Sequence, residues 1–291
     1  MLRNLINFAR EKRSSKLGKH ICESMFYRVF VKKFWYRFAG YYGGKSSQNA
    51  IAFYSTNAER VSNVSNMISD EKSKKTYLSM VKYRQTGKSK DFPFDGCEEH
   101  TQYFIKELKF GNDEVFIDCG AFDGDTVDKF LKHCPDFRKI VAFEPFPKTF
   151  EILKKKHGNN PKITLINACV SDKNGKAQFS SDEFSYSSKI IEESTSSSFT
   201  VETKTIDSLD LEKVTFIKMD IEGAEYEALK GAEKTILKDK PKLAICIYHS
   251  DEDMIRLAEY INGLVPEYKF HVRVHEFCGP NEIVLYAIFP E

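Results

Sequence analysis

The sequence has no run of about 18 consecutive apolar residues, the length that a membrane-spanning helix requires. Its seven cysteines include no C-x-x-C pair, so the sequence indicates neither a zinc site nor a disulfide framework. It also lacks the G-x-G-x-x-G turn with which dinucleotide-binding folds approach a pyrophosphate. The first residues have no continuous apolar segment followed by a small-residue cleavage site, so no signal peptide is predicted. These absences favour a reduced, cytoplasmic protein.

The charge of the chain is unevenly distributed. The formal net charge is only +2, but residues 1–45 hold 11 Lys/Arg against 2 Asp/Glu. Aromatic residues alternate with these cations at roughly helical spacing, which predicts a basic amphipathic helix. Such a helix packs on the main domain or lies on an anionic surface, here the inner face of the membrane. Nucleic acid is not expected as a partner, because no recognised nucleic-acid module accompanies the charge.

The rest of the chain divides into a helical region and an α/β region. Helical spacing of apolar residues over 57–86 predicts a helical cap, so residues 1–96 form the predicted N-terminal region and residues 97–291 the catalytic domain. After Glu114, apolar strands alternate with amphipathic helices, which is typical of a doubly wound, mostly parallel Rossmann-like sheet. The predicted strands are 115–119, 139–143, 163–167, 214–219 and 242–248, and the helices 125–133, 147–157, 223–237 and 252–263. Two final strands, 268–274 and 282–288, predict an antiparallel hairpin at one edge.

A serine-rich segment, 180–198, separates the third and fourth of these strands. Its composition predicts a mobile surface loop. A loop of this length inside a domain is also typical of active-site lids, and that alternative stays open.

The strongest signal is the segment 115–126, VFIDCGAFDGDT, which reads as a buried strand, a glycine turn and the start of a helix. Gly120 and Gly124 let the backbone take a positive φ and let a ligand approach the main chain. Glu144 ends the second strand, where a carboxylate can bind both hydroxyls of a ribose. The acids around the turn, Asp118, Asp123 and Asp125, repel a pyrophosphate and favour a cationic adenosine compound.

The remaining strands of a parallel sheet bring their carboxyl ends to the same edge, where ligands bind. Asp220 and Glu222 follow the fourth strand and His249 follows the fifth. His249 is the preferred general base and Asp220 the alternative, since an imidazole accepts a proton near neutral pH. A divalent cation held by Asp220, Glu222 and His249 is a weaker hypothesis. Glu225 is predicted to be a surface or helix N-terminal carboxylate.

Several motifs carry a family resemblance. The segments EVFIDCGAFDGDT, VAFEPFP, FIKMDIEGAEYEALKGAEKTI and LAICIYHSDED resemble the FkbM-type methyltransferases of the class I methyltransferase fold, over residues from about 102 to 289. The resemblance implies a bound S-adenosylmethionine, with Asp118 and Gly120 near its amino-acid end, Glu144 at the ribose and Asp172 near the adenine. The candidate cofactor-binding residues are Asp118, Gly120, Ala121, Phe122, Asp123, Gly124, Thr126, Glu144, Pro145, Asn167, Ala168, Asp172 and Asp220.

The resemblance further implies O-methylation of a sugar or glycan hydroxyl, as in bacterial surface polysaccharides or natural-product glycosides. Two other functions remain open at this point. An NAD-dependent sugar oxidoreductase fits the fold but not the phosphate turn. A non-catalytic nucleotide-binding domain, recruited to a membrane or a partner by residues 1–45, fits the basic segment. The acceptor and the oligomeric state are not indicated.

Overall fold

A computed structural model of the chain describes residues 48–94, 97–98, 101–180, 190–191, 198–275 and 281–290. The basic helix predicted within residues 1–45 lies outside these ranges, and so does most of the serine-rich segment 180–198. Among the helices that are described, none is both long and apolar enough to cross a bilayer.

The helices and strands are numbered here in chain order. The helices are α1 Gln48–Thr56, α2 Ala58–Met67, α3 Glu71–Thr86, α4 Asp125–His133, α5 Pro147–His157, α6 Glu225–Lys230, α7 Glu233–Asp239 and α8 Asp253–Leu264. The strands are β1 Val115–Cys119, β2 Lys139–Phe143, β3 Ile163–Ile166, β4 Cys169–Val170, β5 Gly175–Ser180, β6 Ile190–Ile191, β7 Ser198–Lys204, β8 Phe216–Met219, β9 Lys242–Cys246, β10 Lys269–Val274 and β11 Ile283–Ile288.

Seven strands form the central sheet, in the order β10-β11-β9-β8-β1-β2-β3. The five strands from β9 to β3 run parallel, whereas β11 pairs antiparallel with both β9 and β10. The predicted fold class, a doubly wound sheet with a C-terminal antiparallel hairpin, is therefore confirmed. The strand order reverses between β1 and β8, and in such sheets the crevice at that reversal is where ligands bind.

The central strands are apolar along their whole length because both faces of the sheet are covered. All five residues of β1 and all four residues of β8 are buried. An alternating pattern would leave one face in water, so a continuous apolar run is what a two-sided core requires. The core on the two sides of β1 separates into two clusters, one containing Ile117 and the other Phe116.

Two features differ from the prediction. The helix predicted over 223–237 is two helices, because α6 ends at Gly231 and α7 begins after Ala232. Glycine is a poor helix former, and a Cβ on Gly231 would lie 2.0 Å from the Ser171 carbonyl oxygen. In addition, β4, β5, β6 and β7 form a second, four-stranded sheet that was not predicted, and it includes the described residues of the serine-rich segment.

The helices α1 to α3 pack against the hairpin end of the sheet. Asp70 caps α3 by accepting the Ser73 amide at 2.8 Å, and its other oxygen lies 2.7 Å from Nδ1 of His271 on β10. Tyr77 and Met80 of α3 are fully buried in the same core cluster as Phe270. The predicted helical cap is thus present over the described residues, while its division from residues 97–291 as a separate domain stays a prediction.

Candidate functional site

The glycine turn after β1 has no room for a side chain. Gly120 has a φ of 81°, and a Cβ there would lie 2.1 Å from the carbonyl oxygen of Asp220. The amides of Gly120 and Ala121 both donate to the Phe143 carbonyl, at 3.1 and 2.8 Å. Gly124 has a φ of 90°, and a Cβ there would lie 2.8 Å from the ring of His157. The turn is therefore pressed against the ends of both β2 and β8.

Glu144, at the end of β2, is bound to this turn. One carboxylate oxygen accepts the amide of Phe122 at 3.0 Å and the other accepts that of Phe146 at 2.9 Å. Burial raises the pKa of Glu144 to about 7, against the opposing effect of these two amides. Asn167 donates to the carbonyls of Glu144 and Pro145, at 2.8 and 3.0 Å. The structure thus brings together three predicted positions, the turn, Glu144–Pro145 and Asn167.

Asp118 lies beneath the turn instead of facing outward. Its side chain is fully buried, and its carboxylate lies 3.1 Å from Nζ of Lys218, on the neighbouring strand β8. The same Nζ donates to the carbonyls of Cys119 at 3.2 Å and Gly120 at 2.7 Å. Burial raises the pKa of Asp118, with the Lys218 ammonium acting in the opposite direction. Sequence reasoning missed Lys218, which holds the turn from below.

The other two acids of the turn also have lysine partners. Asp123 pairs with Lys156 at 2.9 Å, and Asp125 pairs with Lys129 at 2.8 Å. Thr126, buried in the first turn of α4, lies beside Asp125, with Oγ1 3.4 Å from its carboxylate. The three aspartates therefore do not make the turn anionic, as the sequence had suggested, since each lies beside a lysine ammonium group.

The predicted residues after β3 fall into two places. Ala168 is fully buried in the core, next to the exposed Asn167. Asp172 pairs with Lys230 at 3.3 Å, close to where Gly231 meets the Ser171 carbonyl. Asp172 is therefore held by the last residue of α6.

Asp220, directly after β8, is held by two tyrosine hydroxyls. Tyr103 donates to one carboxylate oxygen at 2.7 Å and Tyr248 donates to the other at 3.1 Å. Tyr103 precedes β1, and its backbone has a φ of 68°. No motif in the sequence singled out Tyr103, because its contact with Asp220 joins residues 117 positions apart.

His249, three residues after the end of β9, lies among three carboxylates. Its Nδ1 is 3.2 Å from Oε1 of Glu225, and its Nε2 is 3.6 Å from Asp220 and 3.7 Å from Glu222. Burial alone lowers the pKa of His249, but Glu225 above all, with Asp220 and Glu222, raises it above the usual value. Glu225 is fully buried, so of the two predicted alternatives the surface carboxylate is wrong. It begins α6, as predicted, but faces His249.

The cap reaches this cluster through Arg84 of α3. Its guanidinium lies 3.0 Å from the Asp251 carboxylate and also donates to the carbonyl of Tyr248. Tyr54 of α1 donates to the same Asp251 carboxylate at 2.9 Å. The segment that carries His249 is therefore fixed from two cap helices.

The fold of this chain matches that of a solved methyltransferase structure. The structure of methyltransferase FkbM from Methylobacillus flagellatus KT superposes with a TM-score of 0.70 at 24% identity, over 82% of this chain and 60% of that chain. This chain thus spans about 60% of the length of that relative. A fibrillarin/Nop5p complex gives a TM-score of 0.42 at 20% identity, over 62% of this chain and 75% of that one. Precorrin-6y C5,15-methyltransferase from Geobacter metallireducens GS-15 gives a TM-score of 0.40 at 14% identity, over 68% of this chain and 96% of that one.

No curated protein matches the sequence. The family model described as the methyltransferase FkbM domain matches residues 118–273, which begin at the end of β1 and extend into β10. This match covers more than half of the chain and includes the glycine turn, Glu144, Asp220 and His249. The chain belongs to the FkbM methyltransferase family.

Proposed function

We propose that the chain is an S-adenosylmethionine-dependent O-methyltransferase that acts on a hydroxyl of a sugar or glycan, in surface polysaccharide or natural-product glycoside synthesis. The observation that carries the proposal is the contact between Gly120 and the Asp220 carbonyl. It joins a turn suited to a nucleoside ligand to a cluster of proton-accepting groups at one edge of the sheet. A methyl donor and an acceptor hydroxyl bound there would be neighbours.

The residues present fit S-adenosylmethionine. At Gly120 the absence of a side chain lets the turn pack directly against the Asp220 carbonyl, which brings the turn and the end of β8 together. Each oxygen of Glu144 holds one backbone hydrogen bond and keeps a second lone pair for a ribose hydroxyl. Within the described ranges, no lysine or arginine pairs with Asp220 or Glu225, so the acids beyond β8 favour a cationic ligand. When bound, S-adenosylmethionine supplies a methyl group whose bond to sulfur breaks as the new bond to oxygen forms.

The chain's own residues accept the proton of the hydroxyl and bind the acceptor. A sugar hydroxyl is a weak nucleophile and loses its proton as it attacks, so a group near the reacting oxygen must accept that proton. His249 and Asp220 are the candidates, and Glu225 against Nδ1 fixes the orientation of the His249 ring. Phe122 is 47% exposed at the turn, where an aromatic face can pack against a sugar ring. We place the reaction in the cytoplasm, with residues 1–45 as a contact to the membrane surface.

Isothermal titration calorimetry with S-adenosylmethionine and, separately, with NAD⁺ tests the cofactor. We expect S-adenosylmethionine to bind and NAD⁺ to give no measurable heat. Binding of NAD⁺ in its place would support the oxidoreductase alternative, and binding of neither would overturn the proposal. Incorporation of label from S-adenosylmethionine into a panel of glycans then tests catalysis, and binding without transfer to any glycan would favour the non-catalytic alternative.

Replacing Glu144 with glutamine is expected to weaken S-adenosylmethionine binding by about tenfold or more. In the wild type, each carboxylate oxygen accepts a backbone N–H. The glutamine amide has the same volume, but its NH₂ group replaces one of these oxygens and cannot accept that hydrogen bond. Calorimetry measures the change, and Glu151→Gln, at an exposed position on α5, is the matched control. An unchanged affinity in Glu144→Gln would remove this residue from the ribose site.

The raised pKa of Glu144 gives this site a dependence on pH. Since the ionised carboxylate is the better acceptor for ribose hydroxyls, affinity for S-adenosylmethionine should increase as pH rises through about 7. The stability of the free protein should change in the opposite direction. A folded-state pKa above the unfolded value of 4.5 favours folding at low pH, and this contribution is lost as pH rises through about 7. Both trends should be absent in Glu144→Gln.

A further inference from the structure

Three side chains that follow β8 and β9 converge on one point. Asp220 comes from the end of β8, Glu225 from the first position of α6 and His249 from the end of β9. One donor atom from each lies within 4.8 Å of the other two. Donor atoms that coordinate one cation at about 2.0 to 2.2 Å lie about 3 to 4.3 Å from one another. Small side-chain movements would therefore bring these three donor atoms to coordinating distance.

Two of these side chains are buried with unused hydrogen-bonding capacity. Glu225 is fully buried, and in the described part of the chain its Oε2 has no hydrogen-bond partner. The His249 side chain is 8% exposed; its Nδ1 lies 3.2 Å from Oε1 of Glu225 without hydrogen-bond geometry, and its Nε2 has no hydrogen bond to a described residue. Buried polar atoms are rarely left without a hydrogen-bond partner. Both side chains can therefore accept a further partner at these atoms.

Neighbouring groups also orient the two carboxylates by hydrogen bonds, as is usual for metal ligands. Asp220 is held by the hydroxyls of Tyr103 and Tyr248, one on each oxygen. Oε1 of Glu225 accepts the amide of Ile221 at 2.8 Å, which leaves Oε2 available. Hydrogen bonds of this kind fix the direction in which a ligand atom points and strengthen metal binding.

We infer that Asp220, Glu225 and His249 form a binding site for a divalent first-row transition cation. Two carboxylates with one imidazole suit Mn²⁺ or Fe²⁺ better than Mg²⁺ or Ca²⁺, which prefer oxygen ligands alone. Glu222, with Oε2 3.7 Å from Nε2 of His249, lies outside the three-residue set. The ligand set therefore contains Glu225 where the sequence pattern had suggested Glu222.

The site also has a catalytic consequence. This consequence rests on the proposed function, but the binding of the cation is independent of that function. A cation at this point lowers the pKa of a hydroxyl oxygen that reaches it. His249 then acts as a ligand, and the Glu222 carboxylate is the group left to receive the proton. The reaction remains balanced, because the hydroxyl proton goes to Glu222 and the methyl group replaces it on oxygen.

The test is a titration of chelator-treated, full-length protein with Mn²⁺ alone. Binding is monitored by electron paramagnetic resonance as a decrease in the signal of the free ion. We expect saturable binding of one Mn²⁺ per chain. In Glu225→Gln and in His249→Gln, binding should weaken by about tenfold or more. Glu227→Gln, on the same helix α6, is the matched control and should bind like wild type. Circular dichroism verifies that each variant is folded.

The outcomes separate this inference from the proposed function. Failure to bind Mn²⁺ at about millimolar concentration, or equal binding by wild type and both variants, overturns the cation site. In that case S-adenosylmethionine binding and methyl transfer by the chelated protein would leave the proposed function standing. Conversely, Mn²⁺ binding that depends on Glu225 and His249, without any binding of S-adenosylmethionine, would keep the site and overturn the proposed function.

Discussion

Replacing His249 with alanine is expected to lower kcat for methyl transfer by about 100-fold or more, while the affinity for S-adenosylmethionine changes by about twofold at most. The reason is its position after β9, where its ring nitrogens face Glu225 on one side and Asp220 and Glu222 on the other. Both proposed roles of this imidazole, base and ligand, act on the acceptor hydroxyl. Both are lost in the variant, whereas Glu144 and the glycine turn are unchanged.

The measurement combines calorimetry for the donor with transfer of labelled methyl to the acceptor found in the glycan screen. His133→Ala, at an exposed histidine that ends α4, is the control and should keep wild-type turnover. Full turnover in His249→Ala would exclude His249 from the chemistry. A parallel loss of donor binding would indicate instead that the substitution disturbs the fold of the site.

Replacing Lys218 with methionine is expected to destabilise the protein by about 3 to 5 kcal/mol. The ammonium is fully buried and is the partner of the fully buried Asp118 carboxylate. Removing it leaves that carboxylate without a cation inside the sheet and leaves the Gly120 carbonyl without its donor, whereas the Cys119 carbonyl keeps the Asp220 amide at 3.2 Å. An uncompensated buried charge costs much more than a lost surface ion pair.

Urea denaturation followed by circular dichroism measures this loss. The double variant Asp118→Leu with Lys218→Met removes both charges and should recover much of the stability, because an apolar pair can replace a buried ion pair. A loss below about 1 kcal/mol in Lys218→Met would show that the pair contributes little. The glycine turn would then be held mainly by its bonds to the Phe143 carbonyl.

Much of the fold could be predicted because its signals are local. The strands β1 and β2 and the helices α4 and α5 have the predicted bounds, since an apolar run or a helical period spans each of them completely. The second sheet was missed because β7 follows a segment dominated by serine, where composition suggested a loop. Its pairing with β5 across the intervening residues has no signature in either strand alone.

The candidate site was predictable only where a residue follows a strand. Glu144, Asp220 and His249 each end a strand, and strand ends of a parallel sheet meet at one edge. Lys218 was read as one residue of an apolar strand, although it is the buried partner of Asp118, 100 positions away. Glu225 was read as a helix-terminal acid, because nothing near it in the sequence indicates that α6 turns it toward His249.

The packing of α3 on the hairpin end of the sheet has a consequence for synthesis on the ribosome. Tyr77 and Met80 share a core cluster with Phe270, and Ser69 donates to the Phe270 carbonyl, so α3 meets its partner strand after about two hundred further residues are made. β10 in turn needs β11, the last strand described, to join it to the sheet. The cap therefore leaves the ribosome long before its partner does, and its apolar face stays exposed during translation. Completion of this core is a late event that depends on the final residues of the described chain.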